Sequence, residues 1–270
     1  MRKIAVITPV SHLEGIVPLL MTKGTPFLYE EASKSIVREL LLTHNIDTIL
    51  CNPNQQTYKI DQELLEETNV TLINTCSTGM NHIDVDYCKK NNITIYSLTK
   101  DYELIKQLPS TSELAFGLML SLLRKIPESK NHTLNYQWDY TQFVGRQIKD
   151  LKIGIIGYGR LGKIMDEYCK VFGAKTFIYD PYVDIPQTPL EQMFQECDVI
   201  SLHVHVTDET KYMISSELLG LVKKDLYIVN TSRGEIVNEL DIVEALNTGN
   251  LTGYGADVIE NEFDDLTQSP

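Results

Sequence analysis

The stretch that decides the fold is Lys152-Ile-Gly-Ile-Ile-Gly-Tyr-Gly-Arg-Leu-Gly162, in which an apolar run leads directly into the pattern G-x-G-x-x-G. Gly157 permits a tight turn, Gly159 lets the backbone approach a pyrophosphate, and Gly162 lets a helix pack closely on the strand. Residues 163–172 are predicted to form that helix. A glycine triplet alone can be a chance feature of a turn, but a strand, a triplet and a helix in this order predict a dinucleotide-binding loop.

The next strand is predicted over residues 176–179 and is followed directly by Asp180. A carboxylate at this place accepts hydrogen bonds from the adenosine ribose of NAD and repels the 2′-phosphate of NADP. The N–H groups and the positive dipole end at the start of the helix would hold the pyrophosphate. We therefore predict NAD as the cofactor. The predicted cofactor-binding residues of this unit are Gly157, Tyr158, Gly159, Arg160, Leu161, Gly162 and Asp180.

Short apolar runs alternate with helix-like segments on both sides of this loop. Strands are predicted at residues 3–8, 25–29, 47–51, 70–75, 93–97, 152–156, 176–179, 199–203, 227–230 and 252–257. Strands that alternate with helices are typical of parallel sheets with helices on both faces. Because the pattern restarts near residue 100, we predict an α/β protein of two domains, residues 1–100 and 101–270. Both would be Rossmann- or flavodoxin-like parallel-sheet domains, with an active-site cleft between them.

Two further predicted helices have apolar residues in a pattern that indicates which of their faces are buried. The helix predicted over residues 33–44 carries one apolar stripe, which should face the core. The members of that stripe are Ile36, Val37, Leu40 and Leu41. The helix predicted over residues 112–125 is apolar on nearly all sides, so we expect it to be buried.

Residues 131–145 show no clear period and are predicted to form an arm or connector that contains Trp138, Tyr140 and Phe143. Exposed aromatic side chains on this scale favour contact with a partner surface. We therefore predict a homodimer joined through the nucleotide-binding domain. The alternative is that the arm packs on its own domain.

The composition limits the classes of partner. The chain has 270 residues, of which 43% are hydrophobic, and its formal net charge is -13. An acidic protein repels phosphate backbones and anionic lipids, so neither nucleic acid nor a membrane is expected as a partner. The five cysteines include no C-x-x-C pair, and no histidine cluster has metal-ligand spacing. This pattern predicts reduced thiols, a cytoplasmic location and no metal site.

Further motifs resemble those of D-isomer-specific 2-hydroxyacid dehydrogenases. They lie at residues 77–84, at Trp138, in the glycine loop, and at residues 201–207, 230–235 and 255–258. In order and spacing they cover nearly the whole chain. The resemblance implies an NAD-dependent oxidoreductase that interconverts a D-2-hydroxy acid and its 2-keto acid by hydride transfer. It also implies that the first domain binds the substrate and the second binds NAD.

The resemblance implies catalytic roles for Arg233 and Glu262. Arg233 follows a predicted strand, and ligands of open α/β sheets bind at the carboxyl ends of strands. A guanidinium can hold a carboxylate and polarise a keto oxygen through two donors in a fixed fork, although Arg233 taken alone would be a surface arginine in a turn. Glu262 matches the acid that orients the family's catalytic histidine. Phe263 stands where a proline usually follows, and the nearby Glu260 leaves a plain acidic loop as the alternative.

A loop of the first domain is the candidate substrate site. Thr78, Gly79 and Met80 match the loop whose backbone N–H groups hold the substrate carboxylate in the family. A glycine there lets the main chain come close to a small anion. The alternative is an ordinary turn between a strand and a helix, in which Asn81 and His82 cap the helix.

The resemblance also places four further residues at the cofactor, namely His203, Thr207, Thr231 and Asp257. Asp257 matches the position that meets the nicotinamide carboxamide. His205 stands where the family usually has a proline. Two histidines at positions i and i+2 of a strand point the same way and could bind a metal, but no third ligand is evident, so we interpret them as residues of the cofactor loop.

The family places its catalytic histidine on the strand after the acidic loop, and the sequence given ends at Pro270, inside that loop. We therefore expect the nucleotide domain to be truncated at its C-terminal end, and this stretch of chain to bind NADH with little turnover. Residues 52–56 contain no arginine where phosphate-handling relatives often carry a basic residue, which favours a non-phosphorylated acid as the substrate.

Two other functions remain compatible with the sequence. A non-catalytic NAD(H)-sensing binding protein, such as a corepressor of the C-terminal-binding-protein type, uses the same fold. A different Rossmann enzyme is the third possibility, but Arg233 and the loop around Gly79 argue against it. Turnover of a 2-keto acid would favour the dehydrogenase, whereas tight NADH binding without turnover would favour the sensor.

Overall fold

A computed structural model describes residues 1–53, 58–222, 225–262, 267 and 270 of the chain. The chain divides into two compact units, Met1–Gln107 and Leu108–Pro270, where the sequence analysis set the boundary near residue 100. Within the described residues, each unit contains one sheet of five strands, and all strand pairs are parallel. The prediction of two parallel-sheet α/β domains is confirmed.

The first unit has the strands β1 (Arg2–Val6), β2 (Gly24–Leu28), β3 (Thr48–Cys51), β4 (Leu72–Thr75) and β5 (Thr94–Tyr96). Its helices are α1 (Ile16–Lys23), α2 (Lys34–Thr43), α3 (Gln62–Leu65), α4 (Val85–Lys90) and α5 (Tyr102–Ile105). The strand order is β2-β1-β3-β4-β5. Every residue of β3 is buried, because this central strand has neighbours on both sides.

Helix α2 shows where the predicted apolar stripe was too wide. Val37, Leu40 and Leu41 are buried against the sheet, as predicted, but Ile36 is 48% exposed. Successive residues of a helix are turned by about 100° from one another. Ile36 therefore lies at the edge of the face that Val37, Leu40 and Leu41 share, on the solvent side.

The second unit has the strands β6 (Lys152–Ile156), β7 (Lys175–Tyr179), β8 (Val199–Leu202), β9 (Tyr227–Asn230) and β10 (Gly253–Ala256). Its helices are α6 (Ser110–Leu123), α7 (Ile126–Leu134), α8 (Arg160–Val171), α9 (Leu190–Glu196), α10 (Ser216–Leu219) and α11 (Glu239–Thr248). The strand order, β10-β9-β8-β6-β7, repeats that of the first unit when it is counted from β7. The glycine loop follows β6, which has a neighbouring strand on each side.

Helix α6 is only partly buried, so the expectation of full burial was wrong. Phe116 and Met119 are buried in the core of the unit, but Leu114 is 44% exposed. One face of the helix packs on β10, at Gly253 and Gly255. A Cβ atom on Gly255 would lie 3.1 Å from Leu122 Cδ1, so the glycines set how closely the helix can approach.

The predicted arm is partly helical, because α7 continues to Leu134 and a 3-10 helix covers Tyr140–Phe143. The polar sequence of α7 gave no apolar period from which a helix could be predicted. Phe143 packs on the His132 ring at a centroid distance of 5.1 Å. Trp138 and Tyr140 are 88% and 80% exposed. Phe143 therefore packs on another residue of the arm, whereas the other two aromatic side chains are exposed.

The described part of the chain offers neither a membrane span nor a metal-binding cluster. None of its helices is both long enough and apolar enough to cross a membrane. None of its His, Cys, Asp and Glu side chains form a group of three or more that could hold a metal ion.

Candidate functional site

The glycine loop after β6 has two positions at which a side chain cannot be accommodated. Gly157 has a φ of 90°, and a Cβ atom there would lie 2.6 Å from the carbonyl oxygen of His203. A Cβ atom on Gly162 would lie 2.0 Å from the carbonyl oxygen of Gly157. These two glycines therefore permit the chain to pack against itself, as the motif requires.

Gly159 differs from the other two because a Cβ atom there would meet no atom within 4 Å. No described residue accepts a hydrogen bond from the backbone N–H groups of Gly159, Arg160 or Leu161. These groups begin α8, where the first N–H groups of a helix lack partners within the helix. The open space and the unpaired donors fit the pyrophosphate of a dinucleotide.

Asp180 connects the glycine loop to the turn after β7. Its Oδ2 accepts a hydrogen bond from Tyr158 N at 2.7 Å, and its Oδ1 accepts one from Tyr182 N at 3.0 Å. Each carboxylate oxygen has a further lone pair that can accept a bond from a ribose hydroxyl. The sequence identified Asp180 as a candidate cofactor ligand, and the structure adds that it also fixes the loop.

The side chain of Tyr158 is anchored on α8, an interaction that the sequence analysis missed. Its hydroxyl donates to Asp166 Oδ2 at 2.6 Å, and Lys170 Nζ lies 2.7 Å from the same oxygen. Burial alone would raise the pKa of Asp166, but the bonds from Lys170 and Tyr158 hold that pKa below its usual value. Burial and the bond to Asp166 raise the pKa of Tyr158 to about 12. The i,i+4 spacing of Asp166 and Lys170 could have indicated half of this network.

The turn after β9 presents Arg233. Asn230 shapes it, because its Oδ1 accepts from Ser232 N at 3.0 Å and its Nδ2 donates to Arg233 O at 2.9 Å. Ser232 Oγ donates to Leu202 O at 2.8 Å and ties the turn to β8. Arg233 Nη1 donates to Ser232 O at 2.6 Å, and this is the only hydrogen bond of the guanidinium among the described residues. Most of its donors are therefore available to a ligand.

Gly234 brings this turn against the loop that follows β10. A Cβ atom on Gly234 would lie 2.1 Å from both Glu260 N and the carbonyl carbon of Ile259. Glu239 Oε1 accepts a hydrogen bond from Glu260 N at 2.8 Å and holds the loop in place. Although Gly234 was part of the recognised motif, its role in this contact was not predicted.

The same loop places two acids near Arg233. Burial raises the pKa of both Asp257 and Glu262, and the positive charge of Arg233 opposes that rise. The carboxylate of Glu260 is instead bonded to the Tyr212 hydroxyl. The charge of Arg233 thus acts on the pKa of Glu262. Phe263, Asp264 and Asp265 lie outside the described residues.

The remaining cofactor candidates lie around the ends of β8 and β9. Burial lowers the pKa of His203 to about 4, so its ring is neutral at neutral pH, and its Nε2 lies 2.9 Å from Ser201 Oγ. The Thr231 hydroxyl is buried without a hydrogen-bond partner among the described residues, which fits an absent ligand. Thr207 is exposed, and its N–H donates to Thr210 Oγ1 at 2.8 Å.

In the first unit, Thr78, Gly79 and Met80 form the loop after β4, and no described residue accepts a hydrogen bond from their N–H groups. Asp84 caps α4, because its side chain accepts from Tyr87 N at 3.0 Å. The alternative that Asn81 and His82 cap this helix was therefore wrong. Unpaired N–H groups in a loop fit a small anion.

The chain belongs to the family of D-isomer specific 2-hydroxyacid dehydrogenases. Residues 116–270 match the NAD binding domain of that family, and residues 16–105 match its catalytic domain. The unit Leu108–Pro270, with its glycine loop, is thus an NAD-binding domain.

Similar proteins come from several organisms. The chain is 26% identical to D-3-phosphoglycerate dehydrogenase of Bacillus subtilis over 81% of its own length and 42% of that protein. It is 31% identical to glyoxylate reductase of Thermococcus litoralis over 76% of its own length and 66% of that protein. The chain thus spans less than two thirds of either relative. It also resembles the crystal structure of D-lactate dehydrogenase from Aquifex aeolicus complexed with NAD and lactic acid, with a TM-score of 0.77, 28% identity and coverage of 97% and 78% of the two chains.

Proposed function

We propose that the protein is an NAD-dependent dehydrogenase that interconverts a D-2-hydroxy acid and its 2-keto acid. The observation that carries the proposal is the contact of Gly234 with the loop after β10, which holds Arg233 near Asp257 and Glu262. These residues belong to the unit whose glycine loop fits a dinucleotide. Similarity to a glyoxylate reductase and to a D-lactate dehydrogenase supports the same reaction.

NAD would supply or accept the hydride when it is bound. The N–H groups of Gly159, Arg160 and Leu161 would bind the pyrophosphate, and the Asp180 carboxylate would accept hydrogen bonds from the adenosine ribose. The bound cofactor would also give the buried Thr231 hydroxyl a hydrogen-bond partner. Further predicted contacts are Gly157, Tyr158, Gly162, His203, Thr207 and Asp257.

Arg233 would bind the substrate through donors that the protein leaves available, and would stabilise negative charge on the C2 oxygen. The N–H groups of Thr78, Gly79 and Met80 would bind the substrate carboxylate. Glu262 has a pKa raised by burial, so it is suited to share a proton with the acid–base group of the reaction. His203 is not suited to that role, because its pKa of about 4 keeps the ring neutral.

The proposed substrate is a non-phosphorylated acid. This proposal depends on the absence of arginine in residues 52–56, of which residues 54–56 lie outside the described part of the chain. The test is NADH oxidation by the full-length protein with pyruvate, glyoxylate, hydroxypyruvate and bulkier 2-keto acids. We expect turnover of at least one, with a D-configured product. Tight NADH binding without any turnover would contradict the proposal and favour the NAD(H) sensor.

The protein should bind NADH in preference to NADPH, because the Asp180 carboxylate repels a 2′-phosphate. Asp180 also bonds to Tyr158 N, so Asp180→Asn removes the charge while keeping an oxygen acceptor for the loop. We expect this variant to reduce the ratio of NADH to NADPH affinity by about tenfold. The reason is the loss of roughly 1.4 kcal/mol of repulsion between the carboxylate and the 2′-phosphate. Fluorescence titration with both cofactors measures it. Asp184→Asn, an exposed acid of the same unit, is the control. Equal binding of both cofactors, or tighter binding of NADPH, by the unaltered protein would refute the assignment.

The protein should be a homodimer joined through the NAD-binding unit, because Trp138 and Tyr140 are almost fully exposed. Burying two such aromatic residues at an interface stabilises association. We expect light scattering at micromolar concentration to give a dimer mass for the unaltered protein and a monomer mass for the double variant Trp138→Ser/Tyr140→Ser. Tyr102→Ser removes a 58% exposed tyrosine of the first unit and should remain dimeric. A monomeric unaltered protein would end this proposal.

A cytoplasmic location is part of the proposal. Among the described residues, none of the five cysteines forms a disulfide bond, and four of them are buried. Free buried thiols are typical of proteins in a reducing compartment.

A further inference from the structure

A chain of side-chain hydrogen bonds lies behind the loop that follows β4. Ser77 Oγ donates to Gly79 O at 2.7 Å, and Thr75 Oγ1 lies 2.8 Å from Ser77 Oγ. His82 Nε2 lies 3.0 Å from Thr75 Oγ1. Thr75 ends β4 and is fully buried. These hydrogen bonds therefore connect the loop to the interior of the first unit.

The donor in each of these bonds follows from counting hydrogens, because a hydroxyl has only one. Ser77 uses its hydrogen for the carbonyl of Gly79, which cannot donate. Thr75 must therefore donate to Ser77, and it then has no hydrogen left for His82. The remaining bond requires that His82 Nε2–H donates to Thr75. The imidazole therefore carries a hydrogen on Nε2 whether it is neutral or protonated.

Cys51, the last residue of β3, is consistent with this order. Its Sγ donates to Asn74 O at 3.6 Å, and the same sulfur lies 3.7 Å from His82 Nε2. Burial raises the pKa of the Cys51 thiol to about 12, so the thiol keeps its hydrogen and can donate it. In its contact with His82 the sulfur can then act only as the acceptor, which again requires a hydrogen on Nε2.

The carbonyl that Ser77 holds belongs to the peptide between Gly79 and Met80. The described chain contains no cis peptide bond, and in a trans peptide the C=O and N–H groups point in opposite directions. Met80 N–H is therefore directed away from Ser77. The adjacent carbonyls are also engaged, since Ser77 O accepts from Leu98 N and Met80 O accepts from Ile83 N, both at 3.0 Å. By the same geometry, the N–H group of Thr78 is directed away from Leu98 N, and that of Asn81 is directed away from Ile83 N.

We infer that Thr75, Ser77 and His82 are positioning residues that aim the Met80 N–H at the carboxylate of a small 2-keto acid, an inference that rests on the proposed function. None of the three touches the ligand. The order of their hydrogens lets Ser77 hold the carbonyl of Gly79. The Met80 N–H, on the opposite side of the same peptide, is then directed at the anion. Neighbouring N–H groups held in this way can bind an anion.

The first test measures the binding of oxamate, an analogue of pyruvate, to the full-length protein saturated with NADH. Ser77→Ala should weaken oxamate about tenfold, the effect of one lost hydrogen bond, whereas Ser77→Thr keeps the hydroxyl and should restore affinity. Thr75→Val should also weaken oxamate. Thr68→Val is the matched control, because it removes a hydroxyl that donates to Leu65 O at 2.7 Å elsewhere in the same unit. NADH affinity should be unchanged in all variants.

The second test needs no substrate and uses NMR of the same variants. The amides of Gly79 and Met80 should have order parameters of about 0.85 in the unaltered protein and in Ser77→Thr, and lower values in Ser77→Ala. The neutral His82 ring should carry its proton on Nε2. Unchanged order parameters in Ser77→Ala, or a proton on Nδ1 of neutral His82, would overturn the inference. Failure of the unaltered protein to bind oxamate would instead count against the proposed function, and the NMR result would still decide the positioning role.

Discussion

Arg233→Ala is expected to lower the rate of 2-keto acid reduction by about 10²–10³-fold, while the affinity for NADH stays almost the same. The guanidinium forms one hydrogen bond within the described part of the chain, to Ser232 O. Its other donors are available for the charge that develops on the C2 oxygen, and the loss of one such donor typically costs that factor. Among the described residues, no hydrogen bond joins this side chain to the glycine loop or to Asp180, so cofactor binding should remain.

The variant Arg233→Lys tests whether the reaction needs only the positive charge at this position or also the arrangement of the guanidinium donors. An ammonium keeps the positive charge but lacks the fork of donors that a carboxylate or keto oxygen needs, so we expect poor rescue. Arg124→Ala, an exposed arginine of the same unit, is the control and should be fully active. Steady-state kinetics and NADH titration on the full-length protein measure these effects. Activity near normal in Arg233→Ala would show that another cation binds the substrate.

The fold could be predicted almost completely, because the strands of buried parallel sheets are short, continuous apolar runs. The predicted bounds of β6 and β9 agree with the structure, and the other eight strands differ by at most two residues at either end. The glycine pattern located the cofactor loop because its spacing is imposed by local backbone geometry. These features depend on residues close to one another in the chain.

Features that depend on distant residues could not be predicted. The exposure of Ile36 and Leu114 is determined by which face of each helix meets the sheet, and an apolar pattern that covers several faces does not reveal it. Tyr158 and Asp166 are joined through the three-dimensional position of α8 on the loop. The bond between the Tyr212 hydroxyl and Glu260 joins residues nearly fifty positions apart in the sequence, so the acidic loop alone could not reveal it.

Gly234→Ala is expected to disturb the site more than any other glycine-to-alanine change outside the NAD loop. Its Cβ atom would lie 2.1 Å from Glu260 N and from the carbonyl carbon of Ile259, and both are backbone atoms. A backbone contact this short cannot be relieved by rotating a side chain. The turn that carries Arg233 and the loop that carries Glu262 must therefore separate. Overpacking of this kind costs about 1–3 kcal/mol of folding stability.

Two measurements check this prediction on the full-length protein. The melting temperature should fall by roughly 2–4 °C for each kcal/mol lost. Turnover should fall by about 10²-fold, because a shift of about 1 Å in groups that hold the substrate is enough to cause that loss. Gly117→Ala is the control, since a Cβ atom there meets nothing within 4 Å and alanine favours the helix α6. If Gly234→Ala matched Gly117→Ala in both stability and turnover, the contact that holds Arg233 near Glu262 would have no part in the reaction, and the observation that carries the proposed function would be lost.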